Sequence, residues 1–571
     1  MYKIISIIEK KNLLIFIFIL IFNLFQIISD ILSVGLILPI LTVIVDPEII
    51  FNQKYLFQIY SFLNSTDPSD FLKKLLILLL FLYSLKTTLS IIFKYFHIKY
   101  QFNLIKFITI KIIKKYLSLD YYFFLKNKNS KLISNLYNEC KAFVEWFISP
   151  LIVILSEFIF VSSLIFFLLL VDIKSTLLIL GLYLTFGFIF LNLTRRKIGT
   201  WGKDRQILSE SLIHNLNQIF EGIKIIKVFQ KEKYFVELFK KDQSKILLSL
   251  LKNDMVAFLP RVLLEYIIVI ILILILFFNL NKTENLINLI PIIGLYAAAT
   301  LKLMPSVTKI LVAFQNLKFG SPSVERIFKE TKNDDNLAYD TNQKNFIEDF
   351  KQINLKNIDF AYDLNKNTVI KNLNLNIKKG EFIGLVGETG SGKTTLINII
   401  LGLLSPTSGK IEIDGKDFTS KYKFIRNIFS ISTQENFLFD DTILQNITLE
   451  KNDKDINWDH FNNVKNLSQL EGMINKMEKK EATLVGQNGL LISGGQKQRI
   501  SIARAMYKDA SIILMDEITS NLDESTELKI LNNLLTFKGK KTLIFVTHKK
   551  KLLNICDKIY KMENKNIQLI N

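Results

Sequence analysis

Phe382-Ile-Gly-Leu-Val-Gly-Glu-Thr-Gly-Ser-Gly-Lys-Thr394 is the stretch from which the rest of this chain can be read. A strand-like run from Phe382 to Val386 leads into a glycine-rich turn, after which Leu396, Ile397, Ile399 and Ile400 recur with helical spacing. Gly387 to Thr394 fits the phosphate-binding loop pattern in its required setting of strand, loop and helix. The glycines let the backbone curl, so that its N–H groups and the helix N-terminus face phosphate oxygens. Lys393 supplies charge to β- and γ-phosphates, and the Thr394 hydroxyl is placed to ligate Mg²⁺. The candidate phosphate contacts are therefore Gly387, Glu388, Thr389, Gly390, Ser391, Gly392, Lys393, Thr394 and Thr395.

Downstream, the apolar run Ser511-Ile-Ile-Leu-Met515 ends in Asp516-Glu517. A carboxylate at the C-terminal edge of a parallel strand, beside a phosphate loop, is where Mg²⁺ and an attacking water are held. Asp516 fits the metal role and Glu517 that of general base. Between the two motifs stands Leu491-Ile-Ser-Gly-Gly-Gln-Lys-Gln-Arg499, in which Ser493, Gly494, Gly495 and Gln496 open a helix and offer a second anion cradle.

Ser493-Gly-Gly-Gln496 resembles the signature motif of ATP-binding cassette proteins, and its neighbours agree in order. By that resemblance Tyr362 stacks on adenine and Gln434 reaches Mg²⁺. Ser520-Asn-Leu-Asp523 communicates across a dimer, with Asp523 at the nucleotide, and His548 contacts the γ-phosphate as a catalytic partner of Glu517. In that family the signature of one subunit covers ATP on the phosphate loop of the other. One copy of each motif per chain, with Glu517 intact, implies a homodimer with two competent sites, taking ATP and Mg²⁺ as cofactors.

Upstream the character of the sequence changes. The chain has 571 residues, half of them hydrophobic, with 72 Lys+Arg against 52 Asp+Glu for a net charge of +20. That composition excludes a disordered chain and an ordinary soluble enzyme. Six apolar segments, near 13–45, 71–96, 143–171, 175–194, 255–280 and 286–314, each suffice to cross a hydrocarbon core of about 30 Å. The first is too long for a signal-peptide core and has no small-x-small cleavage site, so it reads as a retained span. The fold class is thus a helical transmembrane domain of six spans (1–320), a linker (321–350), and a cytoplasmic α/β phosphate-loop domain (351–571).

Only eight of the basic residues are Arg, and no basic stripe alternates with aromatics, so no nucleic acid partner is expected. Cys140 and Cys556 are too few for a disulfide framework or thiolate metal site. Instead the charge gathers in two connections. Lys99, Lys106, Lys111, Lys114, Lys115, Lys126, Lys128 and Lys131 lie between spans two and three; Arg195, Arg196, Lys197, Lys203, Arg205, Lys224 and Lys227 lie between spans four and five. The positive-inside rule then places both termini and the ATPase domain in the cytoplasm, and the basic faces meet anionic membrane lipids.

These connections read as helices running on past the membrane and ending in short helices near Phe123 to Ser134 and Asn215 to Gly222. Ile49 to Leu63, amphipathic and aromatic, reads as a helix at the outer interface or as an ordered loop. The whole chain resembles a half-transporter of the exporter type (type IV), in which such short cytoplasmic helices couple to the cassettes. Thr483-Leu-Val-Gly-Gln-Asn-Gly489 matches the exporter loop in part: Leu484 and Gln487 stand where acidic residues are usual.

Ionisable groups within spans point to function. Lys86, Arg261 and Lys302 fall in spans two, five and six, and counting about 1.5 Å per residue sets all three in the inner half of the membrane. Together they favour an anionic phosphate or pyrophosphate head group; snorkelling, or pairing of Arg261 with Glu265, stands beside that reading. Phe258-Leu-Pro-Arg-Val-Leu-Leu-Glu265, Leu303-Met-Pro-Ser306 and the external stretch resemble the bacterial flippase of lipid-linked oligosaccharides for protein glycosylation, with Lys at two positions where Arg is expected. The resemblance implies ATP-driven flipping, by alternating access across the bacterial inner membrane, of a polyprenyl-pyrophosphate-linked oligosaccharide. Lipid A or phospholipid flipping, peptide or drug export, and an ATP-gated channel are the alternatives. No Cys/His peptidase domain precedes the spans, which counts against the peptide reading.

Overall fold

The computed structural model describes residues 9–280, 289–332, 347, 349–363, 368–519 and 521–570. Ser520 and the acidic linker residues Asn333, Asp334, Asp335 and Asp340 lie outside the described residues, as do 286–288 of the expected sixth span. Two compact units emerge: Met1–Leu119 with Lys126–Tyr339, and Asp340–Asn571 joined by the short segment Asp120–Leu125.

The first unit is helical. Among the described residues five stretches, Lys10–Val45, Pro68–Ser118, Asn129–Val171, Ile173–Glu221 and Gly294–Thr331, are long and apolar enough to cross a membrane. The expected span 255–280 forms the end of a further helix, Glu232–Leu280, several of whose side chains lie outside the described set. Ile27, Val34, Leu164, Leu168, Ile179, Leu264, Tyr296 and Leu303 pack into one core. Large side chains such as Leu80, Leu170 and Phe188 face outward, as suits a lipid solvent rather than water.

Local chemistry sets the breaks. Asp172 alone separates two long helices: its carboxylate accepts from the Lys174 and Ser175 N–H groups at 3.3 and 3.1 Å, capping the second helix. The Tyr296 hydroxyl donates to the Asp172 carbonyl at 2.8 Å and pins that corner. The segment leading into the third span passes through two π-turns, Asn135–Glu139 and Val144–Ile148, the first of which ends in a fully buried carboxylate. That carboxylate, Glu139, meets Arg205 at 3.3 Å and Gln206 at 2.8 Å. The Arg205 guanidinium also lies 4.7 Å from the Trp146 ring centroid. Gly202 admits this packing, since a Cβ there would sit 2.2 Å from the Phe319 carbonyl oxygen.

Several boundaries differ from the sequence expectation. The first span is two helices, Lys10–Gly35 and Ile37–Val45. The outer stretch is also split, into Ile49–Asn52 and Lys54–Phe62 with an extended Gln53 between. The first expected short helix, near Phe123 to Ser134, is two helices, Tyr121–Lys126 and Asn129–Ser134. The second is Ile223–Val228 rather than Asn215–Gly222, because the long helix continues to Glu221 and Gly222 ends it. The expected linker start at 321 falls inside helix Leu289–Thr331, where buried Val324 and Ile327 and the 2.6 Å pair Arg326–Glu210 continue the packing.

Among its described residues the second unit carries ten strands: β1 (Gln352–Phe360), β2 (Ile370–Lys378), β3 (Phe382–Gly387), β4 (Ser408–Ile413), β5 (Lys416–Asp417), β6 (Phe429–Ser432), β7 (Ile512–Asp516), β8 (Thr542–Val546), β9 (Lys558–Glu563) and β10 (Asn566–Leu569). An antiparallel sheet runs β2-β1-β4-β5, and a second sheet runs β10-β9-β3-β8-β7-β6. From β9 to β6 all neighbours in the second sheet are parallel. Alternate residues of the same strands serve opposite faces: Ile383, Leu385, Ile512, Leu514, Ile544 and Val546 join one core, Phe382, Ile513, Met515, Leu543 and Phe545 the other.

Candidate functional site

Four adjacent parallel strands end on one edge, and each carries one of the expected groups past its C-terminus. The phosphate loop follows β3, His548 follows β8, Asp516 and Glu517 end β7, and Gln434 follows β6. Ligands of open α/β sheets bind outside the carboxyl ends of the strands, so topology alone assembles this site.

The loop has the geometry of an anion cradle. Gly390 and Gly392 take φ of 83° and 103°, the left-handed region that side chains avoid, and Gly392 precedes helix Lys393–Ile400. Lys393 Nζ donates to the Gly387 and Glu388 carbonyls, the latter at 2.8 Å, and so lies folded over its own loop. Ser391 Oγ is buried with no hydrogen-bond partner among the described residues, a donor that a phosphate oxygen would satisfy. These features fit bound ATP.

Asp516 is half-buried, and its carboxyl is pushed above the usual range by burial and by Glu517 beside it, against a lowering by Lys393. A divalent cation there would relieve both effects. Among the described residues no group of three or more His, Cys, Asp or Glu could hold a metal by itself. Mg²⁺ would therefore rest on Asp516, Thr394 and Gln434 together with the phosphates, as that ion commonly does.

Glu517 is held in an unusual backbone conformation, φ 50°, by bonds from both sides. Its N–H donates to Val546 O at 2.9 Å, and its carbonyl accepts from Gln498 Nε2 at 2.9 Å. Gln434 Nε2 donates to its carboxylate at 2.7 Å, so the expected metal-reaching glutamine also orients the expected base. His548 is exposed at the end of its strand.

Tyr362 is more than a third exposed, and its hydroxyl lies 3.0 Å from Thr395 Oγ1 beside the loop. Its carbonyl accepts from the Tyr122 hydroxyl, on the segment Asp120–Leu125 that joins this unit. Asp120 of that segment pairs with Lys423 at 2.7 Å, and Tyr122 packs against the first core.

Ser493 caps the 14-residue helix Gly494–Tyr507. Gln496 N–H donates to Ser493 Oγ at 3.4 Å, and the Gln496 side-chain oxygen accepts from Ser493 N–H at 2.9 Å. Gln496 is thus engaged in its own helix cap. Gly495 lies against the Asn521 backbone: a Cβ would come within 2.8 Å of that carbonyl. Asp523 likewise caps its own helix, accepting from Thr526 N–H at 3.0 Å and Ser525 Oγ at 2.6 Å, and these bonds hold its carboxyl well below the usual range.

In the first unit the three expected cavity cations separate. Lys86 and Lys302 meet at one oxygen of Asp30, at 2.6 and 3.3 Å. The Tyr83 ring centroid lies 5.5 and 5.2 Å from their ammonium groups. Arg261 is exposed and instead contacts Glu265 at 3.4 Å, the alternative that its sequence already offered.

Comparison with known proteins agrees with both halves. Residues 370–520 match the ABC transporter family, and 32–283 match the ABC transporter transmembrane region. The chain belongs to the ABC transporters. It is 32% identical over 277 residues to an ABC transporter B family member, chloroplastic, of Arabidopsis thaliana, covering 48% of this chain and 44% of that one. It is 34% identical over 217 residues to an ATP-dependent lipid A-core flippase of Pectobacterium atrosepticum, covering 38% and 37%. The matches thus span less than half of these relatives. A bacterial Atm1-family ABC exporter with ATP bound shares the fold at TM-score 0.78 and 17% identity, over 98% of this chain and 94% of that one.

Three contributors escaped the motif reading. Gln498 is fully buried and ties the Glu517 carbonyl to the Asn521 N–H, the latter at 3.0 Å. Lys549, next to His548, bonds the Thr519 carbonyl at 2.9 Å and the Glu527 carboxylate at 3.0 Å. Asp30 is an acid within the first apolar segment, and that was the available signal.

Proposed function

We propose that two copies of this chain form an ATP-driven exporter of the bacterial inner membrane, with both termini and the ATPase units in the cytoplasm, that flips an anionic lipid-linked cargo. The observation that carries the reading is the convergence of phosphate loop, Asp516, Glu517, Gln434 and His548 on one sheet edge, in a chain with long apolar helices. One phosphate loop and one signature helix per chain support two composite sites, each capped by Ser493 of the partner copy.

In each site Lys393 and the loop N–H groups hold the β- and γ-phosphates, and Tyr362 holds the base. Bound Mg²⁺ supplies neutralisation of phosphate charge. Glu517, oriented by Gln434, takes the proton of the attacking water, and His548 stabilises charge at the γ-phosphate. ATP binding closes the two copies and opens the membrane cavity outward; hydrolysis resets it.

Lys86 and Lys302 supply the cations for a phosphate or pyrophosphate head group, and a polyprenyl-pyrophosphate-linked oligosaccharide is the favoured cargo. A lipid A-type cargo is the second reading, favoured by the flippase named among the relatives. The composite site is tested by mixing K393A and S493R chains, each inactive alone. Co-assembly should restore ATP hydrolysis, because one site then unites an intact loop with an intact signature. Persistent inactivity would contradict it.

A further inference from the structure

Asp30 has no part in the nucleotide chemistry, yet it gathers two cations within the membrane unit. It lies on helix Lys10–Gly35, Lys86 on Pro68–Ser118 and Lys302 on Leu289–Thr331, so three distant stretches bring their ionisable groups to one point. Asn23, Gln26, Asp30 and Ser33 recur at three- and four-residue intervals and so share a helix face. Asn23, Asp30 and Ser33 on that face are buried. Both ammonium groups contact the same carboxylate oxygen, at 2.6 and 3.3 Å, and both also lie near the Tyr83 ring.

Two ammonium groups against one carboxylate leave a single positive charge. Without the carboxylate, two cations would face each other with little water to screen them. With it, each copy offers a surplus of one, and two copies facing a shared cavity offer two. A head group with two negative charges is then matched, whereas a zwitterion has nothing to neutralise. A transport site must also release what it binds, and four uncompensated cations would hold a phosphate too firmly to let it leave.

We propose that Asp30 is the resident counter-ion of the cargo cavity, a specificity-determining residue that sets its charge for a doubly charged head group and keeps affinity low enough for release. This rests on the reading of Lys86 and Lys302 as cargo contacts.

The test uses the purified full chain in a neutral detergent with three probes: phosphatidylcholine, phosphatidylglycerol and cardiolipin, carrying no, one and two net negative charges. Equilibrium binding and dissociation rate are measured for each. The native chain should bind cardiolipin at least fivefold more tightly than phosphatidylglycerol, and phosphatidylcholine weakest. Asp30→Asn should tighten cardiolipin binding about tenfold and slow its dissociation by a similar factor. Should that variant fold poorly, Asp30→Asn/Lys302→Gln restores a single surplus charge and should bind within about threefold of the native chain, unlike Lys302→Gln alone, which should lose about tenfold.

Unchanged or weaker anion binding in folded Asp30→Asn would overturn the counter-ion role, as would a double variant as weak as Lys302→Gln alone. If Lys86→Gln and Lys302→Gln both bind like the native chain, or if the native chain ignores head-group charge, the cavity reading itself fails.

Discussion

The nucleotide site and the membrane charge cluster are built in opposite ways. In the ATPase unit the phosphate loop, His548, Asp516-Glu517 and Gln434 sit at the ends of strands, and parallel pairing of β3, β8, β7 and β6 brings them together. In the membrane unit the partners lie far apart in sequence, Lys302 and Asp30 by 272 positions, Glu139 and Arg205 by 66. Chemistry written in motifs is carried by backbone geometry; chemistry written in pairs depends on which helix faces which.

That contrast can be broken or sharpened by mutation. The largest effect on turnover is expected at Glu517→Gln, which keeps a hydrogen-bonding partner for Gln434 but removes the proposed base: ATP hydrolysis should fall by about 100-fold or more while nucleotide binding persists. Turnover at the native rate would show that the strand-end motif does not place the base. Glu139→Ala should leave Arg205 buried and unpaired and cost about 3–5 kcal/mol, read as a lowered unfolding temperature of the full chain. A change within measurement error would mean that the long-range pairs of the first unit are incidental.

Gln498→Ala strips partners from the Glu517 carbonyl and the Asn521 N–H, at a cost of about 1–3 kcal/mol. Hydrolysis should fall about tenfold or more with ATP affinity nearly unchanged; a loss in affinity alone would place Gln498 in binding rather than in orienting the base. The smallest change is expected at Tyr122→Phe, which removes the bond to the Tyr362 carbonyl and should weaken ATP binding by about 0.5–1.5 kcal/mol. No effect would detach the segment Asp120–Leu125 from the nucleotide site.

What was legible in the sequence follows the same division. Gly387 to Thr394, Asp516-Glu517 and Ser493-Gly-Gly-Gln496 could be read because glycine freedom, a strand end and a helix start dictate geometry locally. Gln496 and Asp523 show the limit of that reading, since both side chains cap their own helices. Apolar length marked the spans, yet it could not mark the extended Gln53, the π-turns around Glu139 or the helix continuing to Thr331, all of which answer to tertiary packing. Lys86, Arg261 and Lys302 read as a trio because each is costly in a membrane. Only the fold separates them, pairing two with Asp30 and one with Glu265.

The proposed function couples ATP chemistry in one unit to movement of a charged head group through the other. Its most direct test is vesicle reconstitution with a labelled polyprenyl-diphosphate glycolipid, scoring head groups that become protected from an external enzyme after ATP is added. The native chain should protect them, Glu517→Gln should not, and Lys86→Gln/Lys302→Gln should hydrolyse ATP without protecting them. Protection by Glu517→Gln equal to that of the native chain, or undiminished protection without the two lysines, would contradict it.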